Sequence, residues 1–259
     1  MAGVKGKSLC ISSSKGGVGK TFIVTSLAGI FARIEKKVLI IDFDLSGGGI
    51  AVSLNEPFEK SCFNIMEDYE NNRYKQFEDY ITHYKDNSNI DFIAAPKNPR
   101  QATKIDSKYI EFILDKAVNK YDVVLIDTNH DLNEFNISLM DKVDEILFVI
   151  TNDLQDIKNM RNLLTVFNDI DLNYYKVLLN NSRDPFKKYF SMYDIKNIIK
   201  SDVNYTLTSD LFLKNIDLYT LDGKIVTLEP KMPSVFNKDY ITFMSIATDF
   251  LESKGDNNG

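Results

Sequence analysis

Residues 8–24, SLCISSSKGGVGKTFIV, constrain the fold of this chain more tightly than any other stretch. A short apolar run passes into a glycine-rich turn, and an amphipathic helical pattern begins directly after Gly19. Strand, glycine loop and helix in that order are the setting a phosphate-binding loop requires. Successive backbone N–H groups of Gly16, Gly17, Val18, Gly19, Lys20 and Thr21, with Phe22 next in line, can converge there on an anion. The head of the helix adds positive potential, and the glycines allow the turn and a close approach of backbone to ligand. Lys20 would then bridge β- and γ-phosphates, and the Thr21 hydroxyl would bind Mg2+. Ser14 stands where the pattern G-x-x-x-x-G-K-[ST] has its first glycine. The alternative is an ordinary glycine-rich turn with incidental lysines.

Five further runs of mostly β-branched residues follow, at 37–42, 90–95, 122–127, 145–151 and 175–180, with the look of strands buried on both faces. Amphipathic stretches separate them, and a last one near the end places Ile241, Met244, Ala247 and Leu251 on an expected core-facing stripe. This alternation predicts an α/β fold, a mostly parallel sheet of about 7–8 strands with helices on both faces. We read one domain over residues 1–254 and a disordered tail at 255–259. The acidic, tyrosine-rich segment 55–89 is expected to form helices inserted after the second strand. Residues 181–235 show weak periodicity, with turn signals at Asp184-Pro185 and Asp222-Gly223.

Composition narrows the function. With 31 Lys+Arg against 37 Asp+Glu and a net charge of -6, the whole-chain field repels nucleic acid and anionic lipid. The best local basic clusters, Lys97, Arg100 and Lys104 or Lys187 and Lys188, are short. Cys10 and Cys62 sit in apolar stretches at no metal-binding spacing, as in a reduced, cytoplasmic protein. No signal peptide or membrane span is expected. His83 carries no hypothesis, and His130 reads as a hydrogen-bonded loop histidine rather than a catalyst.

Acids recur at strand ends, where ligands bind in open α/β folds: Asp42 and Asp44 in VLIIDFD, and Asp127 in YDVVLIDTNHD. Either motif alone could be a turn former. Three such acids in order behind a phosphate loop favour a metal–nucleotide site.

The second lysine of the loop, Lys15, introduces a family. KGGVGKT resembles the deviant Walker A loop of the MinD/ParA superfamily, ATPases in which the extra lysine marks a nucleotide-sandwich homodimer. The resemblance implies that Lys15 reaches across the dimer to the partner's ATP and stabilises charge on the transferring phosphoryl group, a cation supplied in trans. It implies water activation by Asp44, support of the magnesium shell by Asp42, and a water-mediated Mg2+ contact from Asp127. It also implies that Asn180, in KVLLNN, reads adenine, an edge an amide can match. Asn181 replaces the basic residue usual there, and Asn129 replaces the proline usual after Asp127.

The segments IIDFDLSGGGIAVSLN, FIAAPKNPRQA and DGKIVTLE are similar to those of the CpaE/TadZ group, ATPases of Flp-type (tight-adherence) pilus assembly. Members of that group commonly carry a receiver-like domain before the ATPase, and no segment here is expected to fill that role. The expected function is an ATP-driven dimerisation switch with slow hydrolysis. Its partners would be pilus-assembly or polar-localisation proteins, with recruitment to a cell pole or to the inner face of the membrane. The alternatives are a ParA-like DNA-partitioning ATPase and an ATP-binding scaffold that barely hydrolyses. Direct membrane insertion, a cluster-bearing reductase and a tyrosine autokinase are disfavoured. The terminal helix looks committed to the core, and the tail ESKGDNNG is short, polar and free of tyrosine.

Overall fold

The β-branched runs lie side by side in one eight-stranded sheet. The structure is a computed structural model that describes residues 5–169, 172–182, 189–211 and 216–253. The strands are β1 (Lys7–Ser12), β2 (Val38–Phe43), β3 (Thr82–His83), β4 (Ile90–Ile93), β5 (Val123–Thr128), β6 (Glu145–Ile150), β7 (Tyr175–Asn180) and β8 (Tyr205–Leu207). Their spatial order is β3-β4-β2-β5-β1-β6-β7-β8, with β3 alone antiparallel to its neighbour. Every residue of β2, β5 and β6 is buried, because helices cover both faces of the sheet.

The helices are α1 (Lys20–Arg33), α2 (Ile50–Ser53), α3 (Cys62–Glu70), α4 (Pro99–Ala102), α5 (Ile110–Val118), α6 (Glu134–Met140), α7 (Leu154–Asp169), α8 (Met192–Ile199), α9 (Ile216–Asp222), α10 (Met232–Val235) and α11 (Asn237–Glu252). Alternation along the strands divides the core. Leu9, Ile11, Ile40 and Leu125 pack with Phe31, Phe243 and Phe250 of α1 and α11, whereas Cys10, Ile41 and Ile126 face α3, α5, α6 and α7. No helix among the described residues is long and apolar enough to cross a membrane.

Three expectations need correction. The buried stripe of α11 is Phe243, Ile246, Ala247 and Phe250, while Ile241 is 54% exposed. The phenylalanines take the sheet-facing side, where Phe250 meets Phe31 edge to face at 6.0 Å. Segment 55–89 holds α3 and a turn of 3-10 helix at Phe77–Tyr80, but it ends in edge strand β3, whose His83 Nδ1 lies 2.5 Å from Asp91 Oδ1. The unparsed stretch after 181 contains α8, β8, α9 and α10, and its turn at Gly223 is real, with φ at 70°. The Asp184-Pro185 turn, Lys187, Lys188 and the tail at 255–259 lie outside the described residues.

The late segment DGKIVTLE folds onto α1. Gly29, inside α1, lets the turn at Val226–Leu228 approach, and the Thr227 hydroxyl donates to Ser26 O at 2.6 Å. A Cβ on Gly29 would fall inside the contact radii of the Thr227 hydroxyl and Ile225. Gly29→Ala is therefore expected to lower stability by about 1–2 kcal/mol, overpacking outweighing the gain in helix propensity. Urea unfolding at unchanged slope checks this, and a raised midpoint would refute the close packing.

Candidate nucleotide site

The carboxyl ends of β1, β2 and β5 share one edge of the sheet, with Asp127 in register with Ile11 on one side and Asp42 on the other. Between β1 and α1 the chain turns through Gly17 (φ 75°) and Gly19 (φ 99°), left-handed conformations that glycine adopts without strain. Lys20 is 9% exposed, and its Nζ donates to Ser13 Oγ at 3.0 Å. Ser13 Oγ in turn donates to Lys15 O at 2.7 Å, so the ammonium is held inside its own loop. Burial drags Lys20 below the usual lysine range, against the pull of Asp127 and Asp44.

The Thr21 hydroxyl donates to Asp127 Oδ2 at 2.6 Å. Asp127 Oδ1 is buried with no hydrogen-bond partner. Burial pushes this carboxyl up to about 7, with the Thr21 hydrogen bond and the Lys20 charge acting against the rise and Asp44 adding to it. An orphaned carboxylate oxygen beside a threonine hydroxyl at the head of α1 suits a hard divalent cation whose remaining ligands are phosphate and water. The residues present therefore fit Mg2+.

Asp42 is fully buried, and its carboxyl is pushed up by burial and by the Asp127 charge. Both its oxygens accept from backbone, Oδ1 from Asp44 N at 3.1 Å and Oδ2 from Ile50 N at 3.0 Å. It thus ties down both ends of the loop between β2 and α2. Within that loop Asp44 Oδ1 accepts from Gly47 N at 3.0 Å. A cleft of about 550 Å³ opens here, lined by Gly16, Lys20, Thr21, Asp44, Asn129 and His130, and reaching Tyr219 and Lys224 at its far side.

Lys15 is placed differently from Lys20. It does not line the cleft, and its Nζ lies 2.9 Å from Asp153 Oδ1 ahead of α7. The Lys15 ammonium, with the Asp156 backbone N–H, holds the Asp153 carboxyl below the usual range. Ser14, the substituted glycine position, donates to the buried Asp156 Oδ1 at 3.2 Å. Asp156 Oδ2 accepts from Thr151 N and Thr151 Oγ1, each at 2.7 Å. The phosphate loop is thereby tied to the head of α7. Sequence reasoning missed Asp153 and Asp156, although two acids three apart between a strand and an apolar helical stripe are a capping signal.

Asn180 sits behind the phosphate loop. It is 1% exposed and lies outside the cleft lining. Its Nδ2 donates to Val18 O at 2.9 Å, and its Oδ1 accepts from Ser182 N and Ser182 Oγ at 3.1 and 2.6 Å. The amide thereby braces the phosphate loop through the Val18 carbonyl.

Asn129 also gains a reason. Its Oδ1 accepts from Asp131 N at 3.0 Å and from Asn136 Nδ2 at 2.5 Å, and Asn136 Nδ2 also reaches Asp131 O at 2.6 Å. These bonds organise the DTNHD turn in place of proline. His130 covers the loop, and a Cβ on Gly16 would meet its ring at 3.3 Å. Nothing in the sequence pointed to Asn136.

A buried lysine within a glycine loop, a threonine–aspartate pair and a cleft at the carboxyl ends of parallel strands define a phosphate-loop nucleotide-binding protein. A family model described as AAA domain (AAA_31) matches residues 6–180, and the chain belongs to that family. An uncharacterized ATP-binding protein of Methanocaldococcus jannaschii is 28% identical over 147 residues, 56% of this chain and 53% of that protein. The chain thus spans about half the length of that relative. Among solved structures, a ParA family ATPase from Chlorobium tepidum superposes with a TM-score of 0.79 at 18% identity, covering 94% of this chain and 98% of that one. The septum site-determining protein MinD of Pyrococcus horikoshii, complexed with Mg-ADP, gives 0.76 at 20% identity, covering 94% and 95%. The fold is that of the MinD/ParA proteins.

Proposed function

We propose that the chain is an ATP-binding and ATP-hydrolysing dimerisation switch that positions or assembles a cellular machine. The observation that carries this reading is the contrast between its two loop lysines. Lys20 serves its own cleft, while Lys15 stands outside it on Asp153, available to a facing subunit. ATP held on the loop would lock two subunits face to face, and hydrolysis would part them. The Mg-ADP bound to the Pyrococcus protein supports nucleotide and magnesium use here.

Lys20 and the N–H groups of Gly16–Phe22 bind the phosphates and fix their orientation. Thr21 and Asp127 would hold Mg2+, which when bound neutralises phosphate charge. Asp44, in the cleft wall, takes the proton of the attacking water. Asp42 would support the magnesium shell, and through the loop backbone it holds it also positions Asp44. Lys15 of the facing subunit supplies the cation that the cleft lacks until two subunits meet.

The segments at 40–55 and 92–102 support placement near the CpaE/TadZ group. The machine is then an Flp/Tad-type pilus and the partners are its assembly or polar-localisation proteins. The protein acts in the cytoplasm and is recruited to a pole or to the inner face of the membrane. The Asn129–Asn136 bonds favour slow turnover and, as a second reading, an ATP-binding scaffold that scarcely hydrolyses. Solution mass with ATP and Mg2+, with ADP, and without nucleotide tests the reading, with phosphate release followed in the same samples. A dimer only with ATP is expected. A mass indifferent to nucleotide, with no release, would leave the scaffold.

A further inference from the structure

A second cavity, of about 250 Å³, lies beside the nucleotide cleft. The two share a wall, because Ser46 and Gly47 line both. The other sides of the second cavity are mostly apolar, with the buried Asp42, whose oxygens are taken up by the Asp44 and Ile50 N–H groups, and Lys97 the exceptions. Ala94 and Ala95, just beyond β4, are buried against it, and Val52, Phe58 and Pro99 close it in. Gly48 turns at φ 57°, and a Cβ there would lie 3.2 Å from the Ala95 methyl, so the shared loop presses on the end of β4. The space is below the roughly 300–1,000 Å³ usual for small-molecule sites. It suits one or two anchoring side chains.

The rim carries the opposite charge from the chain as a whole. Lys97 lies 4.3 Å from the Phe58 ring centroid and donates to Phe58 O at 3.2 Å. Arg100, exposed on α4, and Lys104, exposed in the turn that follows it, complete the rim. None of the three has a carboxylate partner among the described residues, in a chain of net charge -6. Val52, 66% exposed on α2, adds apolar surface.

We propose that this cavity is the docking socket for an acidic linear segment of a partner protein. One apolar or proline side chain seats against Ala94, Ala95 and Phe58, and flanking carboxylates pair with Lys97, Arg100 and Lys104. Charge complementarity selects this occupant. A nucleic acid would meet the same cations but leave the apolar floor unfilled. Control of the socket by nucleotide rests on the function proposed above. Asp42 fixes the two ends of the shared loop, so a ligand that moves Asp44 or Ser46 moves the socket wall.

The test is selection of a random peptide library displayed on phage against the full chain with ATP and Mg2+. Enriched peptides are expected to carry an apolar residue flanked by Asp or Glu. Their affinity should fall by about tenfold or more in Arg100→Glu/Lys104→Glu and in Val52→Asp. Affinity for a fluorescent ATP analogue should stay unchanged in both variants, which separates socket from nucleotide site. Peptides indifferent to these changes, or lacking acidic residues, would overturn the proposal. Oligothymidylate binding lost in the same variants would overturn it in favour of nucleic acid. Equal peptide affinity with ATP, ADP or no nucleotide would support docking and overturn its link to the switch.

Discussion

Lys15→Ala is expected to cut ATP-driven phosphate release by about a thousandfold and to keep the protein monomeric with ATP, while ATP affinity shifts by less than about threefold. The split follows from where the two lysines sit. Lys20 is buried and bonded within its own loop, so its loss would remove binding itself. Lys15 adds nothing to its own cleft, and its side chain is 38% exposed on Asp153. A partly exposed ion pair contributes little to folding, so the melting temperature should be nearly unchanged. Single-turnover phosphate release, read beside equilibrium binding of an ATP analogue, checks both halves. Wild-type turnover in Lys15→Ala would sink the trans-lysine mechanism.

Asp127→Asn should separate stability from activity in opposite directions. Asp127 shares its buried site with Asp42 and Asp44, and burial pushes its carboxyl up to about 7, against an unfolded value near 4. Between those values the folded chain keeps a proton that the unfolded chain has released. Stability is therefore lost as pH rises from about 4 to about 7, and the full cost persists above that. An asparagine carries no such cost. Without metal or nucleotide, the variant is expected to melt roughly 3 °C or more above wild type at pH 8, with a smaller gap at pH 5. Magnesium-dependent phosphate release should nevertheless fall by about a hundredfold, since a neutral amide is a poor partner for the cation. Calorimetry across pH checks the first half. A variant that melts below wild type at pH 8 would show that the acidic cluster is not a net cost.

The phosphate loop was legible because phosphate binding demands particular residue types within a few positions of one another. The central strands were legible because burial on both faces demands continuous apolar runs, as in VVLI of β5. The edge strands β3 and β8, of two and three residues, are too short to show a period. The region after residue 181 is held by tertiary contacts that leave no periodic trace. Asn55 Nδ2 donates to Leu221 O, the Tyr84 hydroxyl to Gly223 O, and Arg33 to the carbonyls of Thr227, Leu228 and Glu229. Asn180 illustrates the same limit. Its place at the end of a strand could be read, but its partner, the Val18 carbonyl, comes from the opposite end of the chain.

The position of β1 governs how the molecule comes to be made. β1 is the first strand in the chain, yet its two neighbours in the sheet are β5 and β6, more than 100 residues downstream. During synthesis Leu9, Cys10 and Ile11 stay unpaired until residues 123–150 have emerged. Such long-range pairing is slow, and it leaves apolar strands open to aggregation meanwhile. The phosphate loop hangs from that strand, so it takes shape only when both flanking strands have joined it. Capacity to hold a nucleotide thus marks a sheet closed at its centre, and a half-made chain carries the motif without the site.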